Sequence, residues 1–164
     1  MKVLLPLLFL AAFVVGSRAQ TSKSDSASHE KVMIGAVGRA AIDSTSWYKS
    51  NRELYRPTSK LIGQIDSLGS GDSVVVVFGS WCPDSHIWVP IFLNIADSST
   101  LGKNLRFVAV PRSKEEQQKL TRGLDIEKVP TFIFYRNGKE LGRIVESPNG
   151  DIGDNIIDIL KGDK

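Results

Sequence analysis

The segment that most constrains this chain is Val74-Val75-Val76-Val77-Phe78-Gly79-Ser80-Trp81-Cys82-Pro83-Asp84-Ser85. Four consecutive β-branched residues followed by a phenylalanine read as a buried strand. Pro83 suits the first position of a helix, where its missing N–H leaves nothing unpaired. The chain therefore passes from a buried strand into a helix at Cys82, its single cysteine. A helix N-terminus presents free N–H groups and partial positive charge, which favour thiolate over thiol and can draw a cysteine well below the free value of about 8.5. Ser85 stands where a second cysteine would complete a C-x-x-C pair. One sulfur can hold another thiol but cannot oxidise or reduce it alone.

The amino terminus sets the compartment expected for that thiol. Met1-Lys2, the apolar run from Val3 to Val15 and the small-residue pattern Ser17-Arg18-Ala19 predict a signal peptide over residues 1–19, cleaved after Ala19. The product is then exported, to a periplasm or the extracellular space. The apolar run falls short of the ~20 residues that span a bilayer, so no membrane span is expected after signal removal. The absence of a glycosylation sequon is compatible with a periplasm. Removal of Lys2 and Arg18 leaves 19 of the 21 basic residues against 18 acidic ones. That near-neutral balance, with no basic cluster interleaved with aromatics, excludes a nucleic-acid binder. One Cys and two separated His cannot make a zinc cage, and Asn149-Gly150-Asp151 falls short of a calcium loop, so no metal and no cofactor are expected. A lone cysteine in an exported chain is no disulfide scaffold, and a monomer is expected.

Residues 20–43 read as a flexible leader, Ser-rich and polar over 20–30. Residues 44–68 read as an N-terminal helical extension carrying Trp47, Tyr48, Leu54 and Tyr55, then Leu61, Ile62, Ile65 and Leu68 beyond Pro57. From residue 69 a single domain is expected: a strand at 74–79, a helix from Pro83 to Asp97 and a strand at 105–110. A helix opened by the Ser113/Glu116 capping box follows, running to about Arg122, then a hairpin turning at Asn137-Gly138 and a closing helix near 151–160. Gly71-Asp72-Ser73 reads as a turn, and Gly35-Ala36-Val37-Gly38 follows no convincing strand.

Over roughly residues 61–164 the chain resembles the thioredoxin family. Trp81-Cys82 at the strand-to-helix junction is similar to that family's active-site opening, and Pro90 to its mid-helix kink proline. Val129-Pro130-Thr131 is similar to its cis-proline loop, and Asn137-Gly138 to its hairpin. The resemblance implies an α/β thioredoxin-like fold, a central mixed β-sheet flanked by helices, with the helical extension added in front. It also implies that Val129 and Pro130, with Trp81 and Pro83, form a ledge for an extended substrate beside the thiol. Two departures stand out: Ser85 replaces the resolving cysteine, and Val76 stands where the bacterial thioredoxins carry a buried acid.

Those departures leave two functions open. In the first, Cys82, reachable at the mouth of a bent helix, exchanges with disulfides or thiols of exported proteins, or with a small thiol, and an external thiol releases it. In the second, the groove binds an extended protein segment without turnover. Ser85 either hydrogen-bonds the sulfur or caps the first helical turn. His86, one turn on, either supports a thiolate or is a solvated helix residue. Asp84 opposes ionisation of the sulfur, and Glu146, where the family usually has glycine, restricts or charges the groove.

Overall fold

The computed structural model describes residues 31–162; the signal peptide expected over 1–19 and the leader expected over 20–30 lie outside them. Five strands form one sheet: β1 (Gly35–Val37), β2 (Ser73–Phe78), β3 (Leu105–Ala109), β4 (Thr131–Arg136) and β5 (Lys139–Val145), in the spatial order β1-β3-β2-β4-β5. β2 and β3 are parallel; the other neighbours are antiparallel. The helices are α1 (Arg39–Asp43), α2 (Ser46–Asn51), α3 (Ser59–Leu68), α4 (Pro83–Asp97), α5 (Lys114–Leu120) and α6 (Ile152–Lys161). A 3₁₀ turn at Thr100–Asn104 leads into β3. This is the α/β fold with a central mixed sheet that the resemblance implies.

One expectation is corrected. The range 20–43 was read as leader, yet residues 35–43 carry β1 and α1, with Gly35 opposite Ala109 and Val37 opposite Phe107. A three-residue strand has no periodicity of its own; the exposed edge of β3 supplies its hydrogen-bond partners. The hairpin turns as the sequence requires: Asn137 and Gly138 have φ of 52° and 79°, the two positive values of a type I′ turn.

The alternation of β2 divides the interior. Val74, Val76 and Phe78 face a large core with Phe107, Phe132 and Phe134, packed by residues of α1, α2, α3, α4 and α6. Val75 and Val77 face a smaller cluster containing Cys82, Val110, Val129 and Ile133, against which Trp81, Leu124 and Ile126 pack. Aromatic residues pack the segment 44–55 onto the sheet: Trp47 and Tyr48 are buried, Tyr55 packs against the same core, and the Trp47 and Phe78 ring centroids are 6.3 Å apart.

Pro90 lies inside α4 and has no N–H to donate one turn back. The acceptor it abandons, the His86 carbonyl, takes a hydrogen bond of 2.9 Å from the Asn51 side chain of α2. At the other end of β2, Asp72 is 1 % exposed and accepts two hydrogen bonds from Arg136, at 2.9 and 2.7 Å. Arg136 also donates to the Leu68 and Leu160 carbonyls, joining the ends of α3, β4 and α6. The turn read at Gly71-Asp72-Ser73 therefore carries an ion pair whose carboxylate is buried and whose guanidinium is partly exposed.

Candidate functional site

Strand β2 ends at Phe78, and Gly79-Ser80-Trp81 turns the chain into α4, whose N-cap residue is Cys82. A Cβ on Gly79 would lie 2.8 Å from the Trp81 indole, so this turn closes only over a glycine. Trp81 donates from Nε1 to the Val110 carbonyl at 2.8 Å, and the Arg112 guanidinium lies 4.8 Å from its ring centroid, within cation–π range. Ser80 Oγ accepts from the Met33 N–H at 2.9 Å, tying the segment before β1 to the same loop.

The Val129–Pro130 peptide bond is cis, and Val129 is the residue that meets the sulfur. The Cys82 thiol donates to the Val129 carbonyl at 3.3 Å. Cys82 is 6 % exposed, so the thiol is nearly closed over. The structure thus brings together Trp81, Cys82, Val129 and Pro130, with Pro83 exposed at the first turn of α4. The ledge itself is tied down from several sides. Thr131 Oγ1 donates to the Lys128 carbonyl at 2.7 Å, Lys114 donates to the Glu127 carbonyl, and Arg143 donates to the carbonyls of Leu124 and Asp125.

Ser85 and His86 lie elsewhere than either reading placed them. Ser85 is fully buried and its Oγ accepts from the Gly79 N–H at 3.2 Å, holding the end of β2 against α4. His86 stacks on Trp47 at 4.9 Å between ring centroids, 10° from parallel, with Nε2 2.8 Å from the Ser80 carbonyl oxygen. Gly79, Ser80 and Trp47, all outside α4, supply these partners, and neither residue hydrogen-bonds the sulfur, whose bond goes to Val129.

Glu146 has φ of 64°, in the left-handed region that favours glycine. Its N–H donates to the Pro130 carbonyl at 2.7 Å, and its Oε2 lies 2.5 Å from Lys128 Nζ. The carboxylate therefore clasps the residue two before Pro130 and raises the Lys128 ammonium above its ordinary value, mainly through that hydrogen bond. Glu127 and then Asp84 add weaker electrostatic contributions to the same lysine. Lys128 and Arg112 were not identified from sequence. The only signal for Lys128 was an acid at a glycine place, which asks for a cation to meet it.

A family model described as thioredoxin matches residues 40–152. Thioredoxin of Malassezia sympodialis is 30 % identical over 84 residues, covering 50 % of this chain and 77 % of that protein. Thioredoxin H2-1 of Oryza sativa subsp. japonica is 26 % identical over 138 residues, covering 84 % and 87 % respectively. Among solved structures, an HIV epitope scaffold superposes with a TM-score of 0.51 at 18 % identity, covering 76 % of this chain and 85 % of that one, a likeness of fold alone.

Proposed function

This chain belongs to the thioredoxin family, and from that membership we propose that it is an exported, monothiol member acting in thiol–disulfide exchange through Cys82. The supporting observation is the sulfur's position: at the N-terminus of α4, 3.3 Å from the Val129 carbonyl oxygen and beside the cis bond to Pro130. A thiol so placed sits at the positive end of the helix, without a hydrogen bond to its first-turn N–H groups, and donates to the backbone ledge. In the exchange, the Cys82 thiolate attacks one sulfur of a partner disulfide. A Cys82–partner disulfide forms and the other partner sulfur leaves as thiolate. An external thiol then attacks the partner sulfur, Cys82 departs as thiolate, and a new disulfide links partner and external thiol. The steps exchange partners with no net oxidation or reduction, which suits isomerisation or deglutathionylation.

Ser85 supplies no second sulfur, and its hydroxyl is occupied by the Gly79 N–H, so release depends on the external thiol. Substrates on this reading are thiols or disulfides of exported proteins, or a small thiol.

The second reading, a binding module without turnover, is favoured by the near-complete burial of Cys82. Covalent trapping in the compartment where the protein resides separates the two. Alkylating quench followed by non-reducing capture yields Cys82-linked partners that vanish in Cys82→Ala if exchange operates. Partners that persist unchanged in Cys82→Ala, with none covalently attached to the native chain, make it a binding module.

A further inference from the structure

The sheet is covered unevenly. Residues of five helices pack its first face, whereas the second is packed by Trp81 and Cys82 of the β2–α4 junction and by residues of the Val110–Val129 segment. Toward the β1–β3 edge this face is open. There a hollow of about 590 Å³ is floored by Val75, Val108 and Leu124, with Ala36 exposed at its margin. Its volume lies in the range of small-molecule sites, about 300–1,000 Å³.

The rim is charged with one sign. Lys103, Arg106 and Arg122 line it, all exposed, and none forms an ion pair among the described residues. Arg39, a fourth lining residue, is committed to Asp43 and Asp97. No carboxylate lines the hollow. Cations that serve only solubility are ordinarily interspersed with acids, as on the rest of this surface, where most are paired. Three unpaired cations around an apolar floor match a ligand with one negative head and a short apolar body: the floor takes the body from water, and the guanidinium groups take the head in forked hydrogen bonds.

We propose that this hollow is a binding site for a free, single-chain anionic amphiphile, separate from Cys82, with Arg106 and Arg122 holding the head group and Val75, Val108 and Leu124 the apolar body. A second copy of the chain docked face to face is disfavoured, because it would set like charges against one another.

The test uses dodecanoate below its micellar concentration as probe, with dodecyltrimethylammonium as the same tail under the opposite charge. Titration calorimetry should show saturable one-to-one binding of dodecanoate, and amide shifts should change at Val75, Arg106 and Val108. Arg106→Glu with Arg122→Glu should weaken binding about tenfold or more, and so should Ala36→Glu, which places an acid on the margin without touching either arginine. Circular dichroism confirms that each variant is folded. Absence of saturable dodecanoate binding, equal binding of the cationic analogue, affinity unchanged in the folded variants, or binding to anionic vesicles without binding to free dodecanoate would each overturn the proposal. So would shift changes confined to Cys82 and Val129.

Discussion

Glu146 occupies a backbone conformation that costs an L-residue about 1–2 kcal/mol, and its solvent-exposed pair with Lys128 offsets little of that. Glu146→Gly should therefore leave stability within about 1 kcal/mol of the wild type in urea denaturation, since glycine's greater unfolded-chain entropy offsets much of the relief. The same change frees Lys128 beside the ledge, and on the exchange reading it should alter which partners are trapped on Cys82. An unchanged partner set would remove Glu146 from the groove's selectivity. Ser85→Cys tests the neighbouring position. It should cost about 1–2 kcal/mol, because sulfur is a poor acceptor for the Gly79 N–H, and should shorten the lifetime of any Cys82 adduct by supplying an internal thiol. The junction at Cys82 was legible from residue types alone, whereas the cis proline at 130 followed only from the resemblance to the thioredoxin family. The partners of Ser85 and His86 were legible from neither, because Gly79, Ser80 and Trp47 reach them through tertiary packing that no spacing within α4 encodes.

Helix α4 shows how elements compensate one another. Pro90 strands the His86 carbonyl, and Asn51 of α2 satisfies it, so Asn51→Leu should cost about 1–3 kcal/mol through an unpaired, half-buried carbonyl. Stability equal to the wild type would mean that water reaches that carbonyl. Below the sheet, Arg136 pairs with the buried Asp72, and Arg136→Met would leave that carboxylate without its counter-charge. The expected loss is about 3 kcal/mol, the low end for a broken buried pair, since Arg136 itself is partly exposed. A measured loss under about 1 kcal/mol would show that solvent reaches Asp72. The long elements followed from pattern: the β2 run, the Pro83–Asp97 helix and the Asn137-Gly138 hairpin stand where their sequences place them. Strand β1 did not, because its three residues acquire structure only by pairing with β3.

At the scale of the whole molecule, two tyrosines are expected to contribute to the loss of stability at alkaline pH. Tyr55 and Tyr135 are raised above the ordinary value of about 10, first by partial burial and then by Asp151 and Glu140 respectively. The folded chain holds these protons to higher pH than the unfolded one, so their contribution is full below pH 10 and lost as pH climbs through the folded values. Thermal melting should therefore fall above pH 10, less steeply in Tyr55→Phe and Tyr135→Phe; an identical decline in both variants would assign it to other groups. The uneven covering of the sheet is also a whole-molecule property. It leaves the sulfur in the smaller cluster rather than in the main core, but Cys82 is buried instead of reachable as the sequence predicts, so a disulfide meets it only when the covering side chains give way. The most direct measurement is intact mass after incubating the native protein with glutathione disulfide at neutral pH. Exchange at Cys82 predicts one glutathione adduct that persists until an external thiol is added and is absent from Cys82→Ala. A native protein that stays unmodified while its denatured form reacts readily would contradict the account.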